Sequence, residues 1–419
     1  MAGLRDCQVN AADDRFDVLI AGGGLVGAGL ACALSGLGLR MAVVEATPLA
    51  DDSAGAPGDE RVIALAHGSR RILEGMGLWP RLESEATPIH QIHVSDKGRF
   101  GFVHLRREDE GVEALGHVVP ARVLGRVFTE SLRRLPDVEL ICPAELVAAR
   151  AGERAEVELR VGAEAVRSVT ASVLVAADGT RSMLRELFGI PAAVRDYHQT
   201  AIIANVHTQL PHHNVAFERF TPDGPLAVLP VEDSRCAVVW TWPGDRSDEA
   251  MMLDDAAFLA RLQAAFGYRL GRFLDVGRRE SFALRLVQAR AAVGPRLALV
   301  GNAAHTLHPI AGQGFNLGLR DVAALRDVLV EAHQRGQDPG SAAVLARYAR
   351  WRTADHRRVV AFTDGLIRVF TSPLPPVACL RDAAMVALDL APPAKRLFAR
   401  LAMGRMGRLP SLARGRAMT

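Results

Sequence analysis

The sequence predicts an α/β chain in which a parallel-sheet unit is interleaved with a mainly antiparallel sheet and followed by C-terminal helices. Three observations predict it: a glycine-rich turn between a buried strand and a helix near the N-terminus, two further buried strands at 173–177 and 297–300, and runs of short alternating strands between them. With 419 residues, 49% hydrophobic and 23% charged, the chain can bury a large core. Two structural units plus a tail are expected, because single cores stop growing at roughly 250–300 residues. Fifty Lys and Arg against 47 Asp and Glu leave a net charge of +3, which argues against nucleic acid as a partner. Cys7, Cys32, Cys142, Cys236 and Cys379 form no C-x-x-C pair and fit a reducing cytoplasm. The first fifteen residues mix acids and bases and lack an apolar secretion core. Only two lysines occur, Lys97 and Lys395, neither in the apolar setting that a Schiff base needs.

The first element shows why length alone misleads. Val18 to Leu39 holds 22 residues without a charge, long enough to span a membrane, but seven of them are glycine. Residues 16–21 read instead as a buried parallel strand that runs into Gly22-Gly23-Gly24-Leu25-Val26-Gly27. This is G-x-G-x-x-G opening a helix. Gly22 permits the tight turn, Gly24 lets the backbone approach a pyrophosphate, and Gly27 lets the helix pack on the strand, while the helix start offers free N–H groups. A second strand, 41–44, ends at Glu45, where a carboxylate can accept from a ribose hydroxyl and would repel a 2′-phosphate. The unit therefore reads as Rossmann-type, taking FAD or NAD.

Beyond it, 89–105 reads as two short strands around Asp96-Lys97-Gly98, and 201–206, 216–220, 226–230 and 236–242 read as further strands. Residues 122–135 read as a helix, and the buried strand 173–177 ends in Asp178-Gly179. The last buried strand enters a glycine-rich loop, Gly301 to Asp321, before a helix that runs to about Ala332. His305 and His308 lie three apart in that loop with no acid or cysteine beside them in sequence, so no metal is expected. From Tyr348, Trp351 and Arg352 onward the chain reads as helical. After Asp389 no acid remains, while Lys395, Arg396, Arg400, Arg405, Arg408, Arg414 and Arg416 alternate with apolar residues. Such a basic amphipathic tail suits anionic lipid headgroups or a docking partner.

Three fingerprints now stand in order: the glycine turn with Glu45, then Asp178-Gly179-Thr180-Arg181-Ser182-Met183-Leu184-Arg185, then Gly301 to Asp321 with His308-Pro309-Ile310-Ala311-Gly312-Gln313-Gly314-Phe315-Asn316. Over nearly the whole chain they resemble the FAD-dependent aromatic hydroxylases of the para-hydroxybenzoate hydroxylase type, and the last segment is similar to the ubiquinone-biosynthesis hydroxylases. Asp59 to Leu65, His93 to Gly98 and Phe217-Glu218-Arg219-Phe220-Thr221-Pro222-Asp223-Gly224-Pro225-Leu226 are most similar to the 2-polyprenyl-6-methoxyphenol hydroxylase branch.

The resemblance implies a single Rossmann-type FAD domain at 1–86, 107–188 and 286–345, a mainly antiparallel substrate-binding sheet domain at 87–106 and 189–285, and a C-terminal helical region at 346–419. It implies that Glu45 holds the AMP ribose of FAD and Gly22, Gly24 and Gly27 its pyrophosphate, with Arg61, Arg122, Asp178, Gly179, Asn302, Pro309, Gly314 and Asn316 completing the cofactor site. Asn302 stands where the family uses an Asp toward the ribityl chain; it keeps an acceptor and adds a donor. Asp178 has a competing role as a helix N-cap. No side-chain acid or base is expected. Pro309, Gly312, Gln313 and Gly314 would pass the flavin ring, the helix start carrying its negative charge. Phe220, Leu229 and Trp240 are candidates for an apolar roof.

The implied reaction is NAD(P)H reduction of FAD, O2 capture as a flavin C4a-hydroperoxide, and hydroxylation of a polyprenyl-phenol. The expected setting is cytoplasmic, with peripheral inner-membrane contact and a ubiquinone-biosynthesis protein complex as partner. Two other readings stay open, a sister hydroxylase at another ring position and a non-oxygenating single-Rossmann flavoprotein such as a reductase or a scaffold subunit. Gly24→Glu puts bulk and charge where a pyrophosphate must approach and is expected to abolish flavin binding. Stoichiometric FAD retained in that purified variant would overturn the cofactor assignment.

Overall fold

The computed structural model describes residues 14–49, 60–162, 165–308, 312–370 and 374–415. Strands Arg15–Ala21, Met41–Val44, Val138–Ile141, Ala165–Ala176 and Leu297–Leu299 run parallel in one sheet, in the spatial order 297–299, 165–176, 15–21, 41–44, 138–141. Their Val, Leu and Ile side chains alternate between two buried faces. Val18, Ile20, Val43, Val173 and Val175 meet helices Leu25–Leu34, Ala121–Arg133 and Gln313–Gln334. Leu19, Val44, Leu174 and Ala176 meet an antiparallel excursion through Ala144–Ala151 and Ala155–Val161.

The register decides where function can sit. Ala21 lies opposite both Val44 and Ala176, and Ala176 lies opposite Leu299. The chain therefore leaves the sheet at Gly22, Glu45, Ala177 and Val300 along one edge, the carboxyl edge where open α/β sheets bind ligands.

A second sheet takes the order 102–106, 91–96, 215–221, 224–232, 235–243, 192–208, 280–289, 305–306, with Phe273–Val276 added beside 192–208. It is antiparallel except where Gln91–Asp96 runs parallel to Val215–Thr221. One of its faces packs on helix Asp255–Phe266 through Trp240, Trp242 and Phe258. A small sheet of Val62–Ala66, Gly116–Pro120 and Thr87–Ile89 joins the two.

Two strands run further than their apolar runs indicate. Ala192–Thr208 begins nine residues ahead of the apolar stretch at 201, and Glu280–Ala289 lacks an apolar run, because 192–200 and most of 280–289 are half-buried or exposed and held by each other's backbones.

Helices Ala342–Phe370, Pro375–Leu390 and Pro392–Ala402 follow. The first is pinned to the parallel sheet by Tyr348, fully buried, whose hydroxyl donates to the Leu299 carbonyl at 2.8 Å. The basic tail is in part docked and charge-paired rather than a free amphipathic arm. Lys395 lies 3.6 Å from Asp109, Arg400 lies 3.9 Å from Glu110, Arg408 covers the Trp351 ring at 4.0 Å, and Leu412 is buried in the main core. Arg416 lies outside the described residues. Among the described residues no helix is long and apolar enough to cross a membrane.

Candidate functional site

The site begins at the glycine turn. Gly22 has φ +103°, and a Cβ there would meet the Ala177 carbonyl at 2.5 Å; a Cβ at Gly27 would meet the Gly22 carbonyl at 1.9 Å. Protein atoms therefore demand glycine at both. Gly24 differs, since a Cβ there would find nothing within 4 Å: the space beside it is open. Gly24 is the N-cap of helix Leu25–Leu34, whose first turn has no side-chain cap and no acid, so its N–H groups face that space. An anion fits there. Glu45 holds the turn itself, accepting from Gly23 N at 2.7 Å and Thr47 N at 2.9 Å. Each carboxylate oxygen has two lone pairs, so acceptor capacity remains for a ribose.

The second fingerprint lies against the first. Asp178 accepts from Leu184 N through Oδ2 at 3.1 Å, while its buried Oδ1 has no partner, and Gly179 beside it has φ +82°. A buried acceptor left unpaired at a ligand edge is what a bound hydroxyl or N–H would satisfy. The N-cap of the helix that follows is Ser182, which accepts from Arg185 N; Asp178 supplements that cap. Arg185, which the motif contains but sequence reasoning gave no role, donates to the carbonyls of Ala303 at 2.9 Å and Thr180 at 2.9 Å. It ties the second fingerprint to the third.

In the third, Gly301 and Gly318 crowd Val26 of the first helix, a Cβ at either approaching Val26 Cγ2 to 3.0 and 3.1 Å. The loop is held from beneath by Asp321, fully buried. Its carboxylate accepts from Gly301 N at 3.1 Å and Arg352 Nε at 2.6 Å, and meets Nε2 of both His305 and His356 at 2.7 Å. Burial alone would raise its pKa, but His356, Arg352 and His305 hold it well below the usual carboxylate range. Asp355 completes the cluster, pairing Arg352 at 2.7 Å and Arg320 at 3.1 Å. Sequence spacing missed this gathering because its members lie up to 51 positions apart, His305 to His356. The ligand atoms of His305, Asp321 and His356 are close enough to hold a metal, yet hydrogen bonds join them and a guanidinium already serves the carboxylate. The cluster is a charge-balanced anchor for the loop.

Other expected residues fall in varied places. Asn302 is exposed on this loop. Gly312, in the left-handed region with φ +58°, caps helix Gln313–Gln334, and a Cβ at Gly314 would meet nothing within 4 Å. Gln313 is buried and donates to the Ala402 carbonyl at 3.3 Å. Asn316 spends its amide on the chain: Oδ1 accepts from Ala66 N at 2.8 Å, and Nδ2 donates to Ala64 O at 2.8 Å and Gly312 O at 2.6 Å. It clamps strand Val62–Ala66 to the loop instead of presenting a free amide. Arg61 is exposed, with its guanidinium 5.8 Å from the Phe282 ring centroid. Arg122, also exposed, turns toward Glu85 at 3.5 Å, an acid that Arg126 shares at 2.6 Å. Pro309, Ile310 and Ala311 lie outside the described residues.

From Asn302, Gln313 and Gly314 a cavity of about 440 Å³ opens between the loop helix, the second sheet and the C-terminal helices. Its walls are overwhelmingly apolar. Phe220 and Leu229 line it as expected, whereas Trp240 points to the opposite face of its strand and packs against Trp242 and Phe258. Phe362, Leu366 and Phe398, from the C-terminal helices, complete the enclosure.

Residues 15–363 match the FAD binding domain family. The ubiquinone hydroxylase UbiL of Rhodospirillum rubrum is 41% identical over 396 residues, spanning 94% of this chain and 91% of its own. The 3-demethoxyubiquinol 3-hydroxylase of Escherichia coli K12 is 32% identical over 389 residues, 93% of this chain and 98% of its own. Among solved structures, the p-nitrophenol 4-monooxygenase of Pseudomonas putida DLL-E4 superposes with a TM-score of 0.76 at 19% identity over 94% of this chain and all of that one, a likeness of fold.

Asp321→Ala leaves two buried guanidiniums, Arg352 and Arg320, sharing the single carboxylate of Asp355, and is expected to destabilise by about 3–5 kcal/mol in denaturant titration. Because the folded-state pKa of Asp321 lies well below the ordinary carboxylate value of 3.8, the stabilisation is fully present above that pH and fades only as pH falls through the lower, folded value. The gap between wild type and variant should thus stay constant from pH 5 to 8; a gap that closes within that range would contradict this role.

Proposed function

The chain belongs to the FAD binding domain family, as an FAD-dependent aromatic hydroxylase of the ubiquinone-biosynthesis type, and from that premise we propose that it hydroxylates the ring of a polyprenyl-phenol of the 2-polyprenyl-6-methoxyphenol kind. The observation that carries this substrate class is the apolar cavity, which begins at the third fingerprint and is walled by Phe220, Leu229, Phe362 and Phe398. A phenol with a long hydrocarbon tail is matched by such walls, at about 25 cal/mol per Å² of apolar surface removed from water.

In this reading the open space at Gly24 and the start of helix Leu25–Leu34 take the FAD pyrophosphate, and Glu45 takes the ribose. Asp178 offers its unpaired Oδ1, and Asn302, Gly312, Gln313 and Gly314 border the flavin end of the cavity. Bound FAD supplies hydride acceptance from NAD(P)H and activation of O2 for transfer of one oxygen atom to the ring. The chain supplies the rest: the Asp321 anchor fixes the third loop, the start of helix Gln313–Gln334 directs its dipole at the cavity, and the apolar walls exclude water that would divert the oxygen. The domain division at 1–86, 107–188 and 286–345 against 87–106 and 189–285 belongs to the same proposal. So does delivery from a membrane, supported by the exposed Leu380, Leu390 and Leu397 on the C-terminal helices beside the cavity-lining Phe398.

The likeness to the 3-demethoxyubiquinol 3-hydroxylase of Escherichia coli K12 favours a second reading, hydroxylation of a demethoxyubiquinol-type ring. Mass spectrometry of lipids from a host deleted for this gene, with and without its restoration, separates the two. Reversible accumulation of a polyprenyl-methoxyphenol is the expected result. Accumulation of a demethoxy quinol would move the assignment to the second reading, and an unchanged quinone pool would overturn both.

A further inference from the structure

Glu218 is the only ionisable side chain among the described residues that line the cavity. Strand pairing sets it in one row across the sheet, opposite Val94 and Ala227, with Ala227 opposite Val239 and Val239 opposite Ile203. All four neighbours in that row are apolar and also line the cavity. The next residue, Arg219, turns to the other face, where Nε donates to the Ala265 carbonyl and Nη1 to Ser95 Oγ. Among the described residues no hydrogen bond or ion pair reaches the Glu218 carboxylate. No titratable group faces it from the small sheet, the start of helix Gln313–Gln334, or helices Ala342–Phe370 and Pro392–Ala402. On the adjacent strand Asp96 is taken by Arg381 and His93 by His104.

A lone carboxylate in an apolar wall works against stability and is retained where chemistry needs it. We propose that Glu218 is the general base for the ring hydroxyl of the phenol substrate. Its carboxylate oxygen forms the new O–H bond, the hydroxyl O–H bond breaks, and the electron pair stays on the phenol oxygen. The ring thereby gains electron density as it receives the electrophilic oxygen. The carboxylate is basic enough for this step, because desolvation pushes the Glu218 carboxyl up to about 7, the range in which a base is half available at neutral pH and still basic. The inference rests on the proposed function and adds to it the residue that handles the proton.

The test uses the full-length FAD-loaded protein with NAD(P)H and a short-chain 2-prenyl-6-methoxyphenol, measuring hydroxylated product and flavin reduction separately from pH 5.5 to 9. Wild-type product formation should fall on the acid side of about pH 7, where Glu218 is protonated. Glu218→Gln should retain FAD and flavin reduction, lose hydroxylation by about 10²-fold or more with the loss in kcat rather than KM, and lose that acid limb. Glu218→Asp, which keeps the carboxylate, should recover part of the rate and the limb. Stability gives a readout that a structural role would move the other way. The folded state opposes ionisation from 4.5 up to about 7, so Glu218→Gln should melt higher than wild type at pH 8, with the difference shrinking toward pH 4.5. Product formation by Glu218→Gln within twofold of wild type, with the acid limb intact, would overturn the base alone. A flavin-loaded wild type that hydroxylates no phenol would overturn the proposed function and the base with it.

Discussion

The arrangement depends on a carboxylate that has no access to water. Asp321 sits within helix Gln313–Gln334 and accepts from the loop backbone at Gly301, from Arg352 on the next helix, and from His305 and His356 in their Nε2–H forms. Burying a charge is tolerated only when its partners are complete, and here the partners come from two segments of chain, loop 301–305 and helix Ala342–Phe370. Loop 301–305 therefore cannot shift without taking Gly301 N and His305 Nε2 away from the buried Asp321 carboxylate. The same loop carries Ala303, whose carbonyl receives Arg185, and Gly301, which presses on Val26 behind the glycine turn. One electrostatic anchor thus fixes three segments at the carboxyl edge of the parallel sheet.

The second requirement is the opposite one, a region with almost no charge. The cavity extends away from the anchored loop into walls drawn from the second sheet, the small sheet and the C-terminal helices. Low polarity suits a prenylated ring and strengthens whatever electrostatics remain, which is why burial raises the pKa of the single carboxyl there, Glu218. Asn316 joins the two regions: its amide bonds Ala64, Ala66 and Gly312, holding the strand that forms one cavity wall against the loop that forms another.

What could be read from the sequence was local. The buried strand and turn at 15–27, the acid at Glu45 and the loop before Gln313 each announce themselves in a few consecutive residues, because the turn demands glycine and buried strands demand apolar runs. What escaped was built across distance. Asp321 and His356 are far from His305 in the chain, Arg185 acts on a carbonyl 118 positions away, and Asn316 reads as a cofactor ligand until its backbone partners are seen. Arg122 lies on a correctly placed helix, but its direction is set by Glu85, which no periodicity reveals. Trp240 and Glu218 show how register decides: adjacent residues on a strand face opposite sides, and only the pairing tells which side is the cavity.

The proposed activity is the transfer of oxygen from O2 onto a phenol ring held in a dry cavity. Turnover of the purified, FAD-loaded protein under 18O2 with NAD(P)H and a prenylated methoxyphenol tests it most directly, by mass of the product and by the ratio of product formed to NAD(P)H consumed. One 18O atom per product, with a ratio near one, is the expected result. NAD(P)H consumption that yields only hydrogen peroxide, or product whose new oxygen derives from water, would contradict it.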